Sequence, residues 1–229
     1  MSHRGPHPKD ASLFAPAALP ALREAVADLS WLRGRGYGDD GAIKLVGDRY
    51  QLRERARIAM GRCAASARDA EARRARKITI DRIDGPLTLD GFNVLVTGEA
   101  ALSGGVILRG RDGALRDLSS VHGTYRRVEE TDVVIAALAT LLAKVERVTW
   151  LLDRPVSNSG RLAARLRDAD ARWQVELVDA VDPVLAKTPG VIATSDSWIL
   201  DRCGAWIDLP AAIIASRAPD APEAWVVEL

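Results

Sequence analysis

The stretch at residues 87–95 (LTLDGFNVL) decides the fold class of this chain. Its first half is a short apolar run that ends at Asp90, and Gly91 permits a tight turn directly after the carboxylate. Residues 148–153 (VTWLLD) and 191–196 (VIATSD) are two more apolar runs that end in an aspartate. Short apolar runs that alternate with amphipathic helical stretches are typical of βα units. We therefore predict an α/β fold with a mostly parallel sheet flanked by helices.

The three aspartates that follow these runs, Asp90, Asp153 and Asp196, predict an acidic site. In open parallel sheets the functional crevice lies outside the carboxyl ends of the strands, so the three side chains converge if their strands are neighbours. Converging carboxylates repel one another unless a cation compensates their charge. Mg²⁺ or Mn²⁺ suits oxygen ligands and promotes chemistry at phosphoryl groups. The alternative is that each aspartate only begins a turn or caps a helix.

Polar neighbours of these aspartates predict contacts to phosphate. Asn93 is placed to orient a metal-bound water or to contact a phosphate group, and Ser195 precedes Asp196. Ser157 and Ser159 lie where a loop opens a helix, with Ser159 as the expected cap, and a helix N-terminus attracts anions. An ordinary connection between strand and helix is the competing interpretation of that loop.

The chain before the sheet predicts a tail and a basic helical domain. Residues 1–20 carry four prolines and no periodic pattern, which indicates a loose tail. Residues 21–77 have helical periodicity, and residues 78–229 form the α/β domain. Up to residue 77 there are sixteen Lys and Arg against nine Asp and Glu, and after it sixteen against twenty-two. This difference in charge between the two parts fits a basic nucleic-acid-binding surface beside a metal site. It equally fits two domains of opposite charge that pack against each other.

Arg49, Arg53 and Arg57 form the most suggestive basic feature of the helical domain. The apolar spacing predicts one helix over residues 45–63, which places these arginines on one face at i, i+4 spacing. A row of guanidinium groups would follow the phosphates of a nucleic acid. The alternatives are a solvated helix surface or a dock for the acidic domain.

A resemblance to a known superfamily sharpens the acidic-site hypothesis. Residues 87–95 resemble the opening strand and D-G-x-N turn of NYN-type nucleases, relatives of the PIN domain, and residues 191–201 (VIATSDSWILD) resemble the late strand of that fold. Residues 22–214 also resemble an uncharacterised family in which a short helical domain precedes such a module. The resemblance implies a PIN/NYN-like fold and Mg²⁺ or Mn²⁺ as the cofactor.

The same resemblance implies roles for individual residues. Asp90 and Asp196 would be metal ligands, Asp153 a third carboxylate, and Asn93 a contact to water or phosphate. Glu99 would add a ligand if its stretch is helical, and Asp117 and Asp201 are weaker candidates for that place. The chain departs from the PIN pattern because its acidic pair, residues 129–130, precedes the central helix instead of lying inside it.

These observations predict a Mg²⁺- or Mn²⁺-dependent ribonuclease that acts on RNA. A non-catalytic RNA-binding or assembly module and an enzyme that handles a nucleotide or another small phosphate-bearing ligand are the alternatives. Because only 5% of the residues are aromatic, we expect the grip to rely on the phosphate backbone more than on base stacking.

Composition restricts where such a protein works. No stretch approaches the roughly 18 apolar residues of a membrane span, and prolines interrupt the N-terminal region where a signal peptide would have its apolar core. The two cysteines, Cys63 and Cys203, are far apart, which suits a reducing compartment. We therefore expect a cytoplasmic protein with no membrane partner, and the oligomeric state stays open. His122 is the only histidine outside the first 20 residues, and a lone histidine is usually structural.

Overall fold

The computed structural model describes residues 3–119 and 123–229 of the chain. Helices dominate the first third, and strands alternate with helices after it. The helices are α1 (Asp10–Leu13), α2 (Leu19–Gly34), α3 (Asp39–Arg49), α4 (Glu54–Cys63), α5 (Ala67–Arg76), α6 (Gly91–Leu102), α7 (Glu130–Leu141), α8 (Ser159–Ala169), α9 (Val181–Leu185), α10 (Ser197–Leu200) and α11 (Leu209–Ala215). The strands are β1 (Leu87–Asp90), β2 (Ile107–Arg109), β3 (Leu115–Arg116), β4 (Val148–Asp153), β5 (Gln174–Val178), β6 (Val191–Ala193), β7 (Ala205–Ile207) and β8 (Val226–Glu228).

The main sheet has five parallel strands in the order β5-β4-β1-β6-β7. Its central strand, β1, pairs with β4 on one side and β6 on the other, so the three predicted strand ends are neighbours. The α/β prediction is confirmed, including the mostly parallel sheet and the helical region before it. All three apolar runs became strands because each is short, buried and followed by a turn residue.

Helices cover both faces of this sheet. Within β4, Trp150 and Leu152 face a cluster that contains side chains of α6, α7, α8 and α11, whereas Leu151 faces a cluster with α9 and α10. This alternation follows from the two-residue period of a strand. The strands of a sheet that is buried on both faces have continuous apolar sequences, as residues 148–152 do.

The N-terminal helices share a core with a second, smaller sheet. That sheet has the order β3-β2-β8, with β2 antiparallel to β3 and parallel to β8. Leu108 of β2 and Val227 of β8 lie in the same apolar cluster as Leu22 and Leu29 of α2. The helical region and the α/β region are therefore joined through one core.

The expected loose tail is wrong for residues 3–20, which are held by buried contacts. Asp10 is fully buried and makes two hydrogen bonds with Arg55, one of them 2.9 Å long, and Phe14 lies in the N-terminal core. Arg4 forms an ion pair with the fully buried Glu99 of α6. Local composition indicated disorder, but these partners are distant in sequence and left no local pattern.

The single helix predicted over residues 45–63 is also wrong. Helix α3 ends at Arg49, and Gln51 takes a positive φ of 51° in the turn before α4. Arg53 is the residue at the start of α4 and Arg57 lies inside it, so the three arginines do not form one i, i+4 row. The apolar spacing continued across the turn because the two helices pack against α2 and share its core.

Cys63 and Cys203 are both buried and neither forms a disulfide. Burial raises the pKa of the Cys63 thiol to about 12, so it stays protonated. In the part of the chain that the structure describes, no helix combines the length and apolar character needed to cross a membrane.

Candidate acidic site at the carboxyl edge of the sheet

The order of the strands creates a crevice between β1 and β6. From β1 the chain crosses to β4 and then β5 on one side, and from β5 it returns past β1 to β6 and then β7 on the other. The connections that leave β1 and β6 therefore run to opposite faces of the sheet. Such a topological switch point is where open α/β sheets bind ligands.

Asp90 lies at the base of this crevice, at the end of β1. Its Oδ2 accepts a hydrogen bond from Thr194 Oγ1 at 2.9 Å, and its Oδ1 accepts a long one of 3.4 Å from the backbone N–H of Asn93. Burial raises the pKa of Asp90 to about 7, against the opposing effect of these two hydrogen bonds. The negative charges of Asp182 and Asp196 raise it further. Asp90 therefore exchanges a proton near neutral pH.

Thr194 joins Asp90 to Asp196. Its hydroxyl donates to Asp90 and accepts a 3.1 Å hydrogen bond from the backbone N–H of Asp196. Oδ1 of Asp196 accepts hydrogen bonds from the N–H groups of Trp198 and Ile199 at 2.8 and 3.1 Å, so Asp196 caps α10. Its Oδ2 has no hydrogen bond with the described residues. The predicted helix cap and the predicted site residue are the same group, with one oxygen for each role.

Asn93 fixes the other wall of the crevice. Its Oδ1 accepts hydrogen bonds from the backbone N–H of Ser195 at 2.9 Å and from the Ser195 hydroxyl at 3.1 Å. Asn93 thus ties the start of α6 to the end of β6, and its amide oxygen is already occupied. Only its amide nitrogen is open to a ligand, because that group makes no hydrogen bond with the residues that the structure describes.

Asp153 and Asp182 complete the acidic edge, and sequence reasoning missed Asp182. Oδ1 of Asp153 accepts a 3.1 Å hydrogen bond from the N–H of Val181, which holds α9 beside the end of β4. Partial loss of solvent raises the pKa of Asp182, and so do the charges of Asp196 and Asp153. Asp182 follows the strand β5 by four residues and lies on α9, whereas the aspartate directly after β5 is Asp179, so the strand-end argument alone would not have selected Asp182.

The four carboxylates of this edge share one property: none has a Lys, Arg or His within ion-pair distance among residues 3–119 and 123–229. The same residues contain no set of three His, Cys, Asp or Glu side chains close enough to enclose a metal ion. The donors nevertheless fit Mg²⁺, which commonly takes only one or two carboxylates and keeps several waters. Such an ion would contact the open oxygens of Asp196 and its neighbours.

A cleft of about 760 Å³ opens beside this edge, between the helical region and the sheet. Asn93, Ser195 and Asp196 line it, together with Tyr37 and Trp198. Four arginines and five aspartates contribute to its walls, so the cleft is not basic. These arginines already contact carboxylates or carbonyl groups of the protein; they are Arg33, Arg62, Arg73 and Arg116.

A buried ionic network supports the loop that carries Asp196. Arg116 donates to Asp112 Oδ1 at 2.8 Å, to Asp112 Oδ2 at 2.6 Å and to the carbonyl oxygen of Ser195 at 2.8 Å, and Arg73 donates to the same Asp112 Oδ2 at 2.9 Å. Burial alone would raise the pKa of Asp112, but the two arginines outweigh it and hold that pKa at about 2. The network fixes the position of residue 195 and therefore of the crevice wall.

Glu99 is not part of the acidic edge, which corrects its prediction as a metal ligand. It lies on α6, fully buried, and forms an ion pair with Arg4. Its other oxygen accepts hydrogen bonds from the Tyr125 hydroxyl and from the Thr131 hydroxyl, the latter at 2.6 Å. The stretch is helical as required, but two to three helical turns carry the side chain away from Asp90 and into the protein. Glu99 thus has a structural role.

The three arginines that were predicted to contact phosphate have different surroundings in the structure. Arg57 is occupied by Asp48 at 2.7 Å and by the Leu52 carbonyl oxygen at 2.7 Å. Arg49 is largely exposed and lies 3.7 Å from Asp28, and Arg53 makes no ion pair with the described residues. None of the three arginines lines the cleft beside Asp196.

The loop after β4 also departs from its predicted form. Asn158, with a positive φ of 72°, precedes α8, and Ser159 is the first residue inside the helix. The Ser159 hydroxyl is buried and donates to the Arg154 carbonyl oxygen at 3.4 Å, so it neither caps the helix nor faces a ligand. Ser157 pairs through its backbone with Gly123 and Tyr125, and its side chain is exposed. Ser195 is the one predicted serine that lines the cleft.

The two remaining acidic candidates are held by other partners. Asp117 accepts hydrogen bonds from Thr97 at 2.7 Å and from the N–H of Ser119 at 2.5 Å, and Asp201 pairs with Arg73 at 2.7 Å. Both line the cleft without joining the acidic edge. His122 lies outside the described residues.

Comparison with known proteins places both parts of the chain. Residues 80–212 match the family described as "Domain of unknown function (DUF5616)", and residues 21–76 match "Protein of unknown function (DUF434)". The "Uncharacterized protein MJ0935" of Methanocaldococcus jannaschii is 31% identical over 186 residues, which cover 79% of this chain and 89% of that protein. No solved structure matches. Because one family covers more than half of the sequence and the archaeal relative extends the likeness across both parts, this chain belongs to the DUF5616 family.

Proposed function

We propose that this protein hydrolyses phosphodiester bonds of RNA with Mg²⁺ or Mn²⁺ at the carboxyl edge of its sheet. One observation carries the proposal: Asp90, Asp153, Asp182 and Asp196 surround a topological switch point and have no cationic partner among the described residues. Elsewhere the chain neutralises its buried carboxylates, as Arg116 and Arg73 do for Asp112. A cluster left without a protein cation favours an external one.

Asp196, whose Oδ2 is open, would hold the ion with at most one neighbouring carboxylate and several water molecules, with Asp90 behind them. When bound, such an ion activates a water molecule and stabilises the charge that develops on a phosphoryl group. Asp90 supplies a carboxylate that takes up or releases a proton near neutral pH. The Asn93–Ser195 pair keeps the two strand ends at a fixed separation. The likeness of residues 87–95 to NYN-type nucleases supports the same reaction.

The second candidate is hydrolysis of a nucleotide or another small phosphate ester. The cleft favours it in one respect, since its volume of about 760 Å³ is that of a small-molecule site and its arginines are all engaged. The broken row of Arg49, Arg53 and Arg57 removes the long basic track that a bound RNA would have followed. A non-catalytic RNA-binding module is the third candidate and differs only in turnover.

The test compares cleavage of labelled single-stranded RNA, structured RNA and a nucleoside triphosphate, each with Mg²⁺, Mn²⁺ or EDTA. Asp90→Asn and Asp196→Asn remove one charge each and keep the shape, and asparagine is as good a helix cap as aspartate. Asp179→Asn is the matched control, because Asp179 lies in the loop before α9 and its one ion pair among the described residues is with the exposed Arg154 at 3.4 Å.

We expect metal-dependent cleavage of RNA by the wild type and by Asp179→Asn, and a loss of at least about a hundredfold in the two site variants, which is a typical effect of removing one electrostatic catalytic group. Cleavage of the triphosphate alone would transfer the proposal to the second candidate. Metal-independent cleavage, or equal cleavage by all four proteins, would refute hydrolysis at this edge. Binding of RNA without turnover would favour the third candidate.

A further inference from the structure

Two exposed aromatic side chains stand at the mouth of the cleft. Trp198 of α10 is 44% exposed and Tyr37, in the loop between α2 and α3, is 59% exposed, and both line the cleft that contains Asp196. An exposed aromatic ring that lines a polar cleft offers a flat apolar face on which a planar ligand can stack. Although aromatic residues make up only 5% of the chain, two of them line this one cleft.

Trp198 is coupled directly to the acidic edge. Its backbone N–H donates to Asp196 Oδ1 at 2.8 Å. The indole ring belongs to the residue two positions after Asp196, which is a candidate metal ligand. The guanidinium group of Arg202 lies 4.0 Å from the centre of the Trp198 ring. This cation–π contact covers part of the indole, and Trp198 stays 44% exposed to solvent.

We propose that Trp198 stacks on a nucleobase of the ligand, with Tyr37 as a second platform in the same cleft, so that an unpaired nucleotide is placed beside Asp196. The inference rests on the proposed function for the identity of the ligand as RNA. It adds the requirement that the base next to the acidic edge is unpaired, because a base inside a duplex does not present its face. Sequence tolerance follows, since every base has a π-face.

The experiment measures binding in EDTA, where no metal-dependent cleavage occurs. The probes are a labelled single-stranded decamer, the same strand in a duplex, and a decamer whose nucleotides are all abasic and which keeps the same phosphates. The proteins are the wild type, Trp198→Ala, Trp198→Phe and the control Trp31→Ala. Trp31 is 58% exposed and has Arg35 at 4.8 Å from its ring centre, but it does not line the cleft.

We expect the wild type to prefer the single strand over the duplex and over the abasic strand. Trp198→Ala should bind the single strand about 5- to 150-fold more weakly, with abasic binding unchanged, which corresponds to the loss of one stacked base. Trp198→Phe should recover part of the affinity and Trp31→Ala should bind as the wild type does. Adenosine monophosphate as competitor separates the sources: displacement at similar concentrations assigns the platform to a free nucleotide, and failure to displace assigns it to a strand.

Three results would overturn the stacking proposal: no preference for bases in the wild type, unchanged binding by Trp198→Ala, or an equal loss for Trp31→Ala. The two proposals fail separately. Base-dependent binding through Trp198 without hydrolysis would retain the platform and reject the nuclease, whereas hydrolysis that ignores Trp198 would do the reverse.

Discussion

Replacing Asp90 with asparagine should make the protein more stable at neutral pH while removing its activity. The folded chain raises the pKa of Asp90 from 3.8 to about 7, so between those values it retains a proton that the unfolded chain releases. The contribution of Asp90 to stability is therefore greatest at low pH and falls as the pH rises from about 4 to about 7. A pKa shift of that size lowers the free energy of unfolding at pH 8 by at most about 4 kcal/mol relative to its value at low pH.

The assay is urea unfolding of the wild type and Asp90→Asn from pH 4 to pH 8. Asparagine cannot ionise and keeps an acceptor for the Asn93 N–H, so we expect equal stabilities at pH 4 and a gain of about 2 to 4 kcal/mol for the variant at pH 8. Millimolar Mg²⁺ should raise the melting temperature of the wild type at pH 8 and leave the variant unchanged. A variant that is less stable than the wild type at pH 8 would refute this account of the buried carboxylate.

Four more substitutions test the surroundings of the site. Asp112→Asn leaves buried arginines without their carboxylate and should lower the unfolding free energy by about 3 to 5 kcal/mol at pH 7, measured by urea unfolding, with the difference shrinking as the pH falls from about 4 to about 2. Gly91→Ala should cost about 1 to 3 kcal/mol in the same assay, because a Cβ would lie 2.5 Å from a Leu152 methyl group and 2.8 Å from a backbone oxygen. Gly160→Ala, whose Cβ meets nothing within 4 Å, should instead stabilise by about 0.5 kcal/mol. Glu99→Gln should lower the melting temperature and leave the metal dependence of any cleavage unchanged, and altered metal affinity would restore Glu99 as a ligand.

The sequence predicted the sheet and much of its edge because those features are local. Six residues are enough to recognise a buried strand followed by an aspartate, and β1, β4 and β6 all have that form. That these strands are neighbours was a condition of the prediction, because the order of strands in a sheet is not recorded in any local pattern; the structure supplies it. Which oxygen of Asp196 caps a helix and which stays open could not follow, since that depends on the rotamer.

The missed features depend on contacts that no local pattern records. Helix α9 has five residues, too few for a periodic signal, and Asp182 lies on this helix. The turn at Gln51 contains neither glycine nor proline, and the apolar spacing on both sides of it serves one core. Arg4 and Asp10 find their partners at Glu99 and Arg55, far along the chain.

The position of β8 has a consequence for the order in which the protein folds on the ribosome. Val227 packs in the core of the N-terminal helices, and β8 pairs with β2. The helices α2, α3 and α4 are synthesised well before β8, so their core is complete only after β8 has been made. Contacts between such distant segments slow folding and leave apolar surface exposed during translation. The two family matches, at residues 21–76 and 80–212, thus divide the sequence between two parts that share one apolar core.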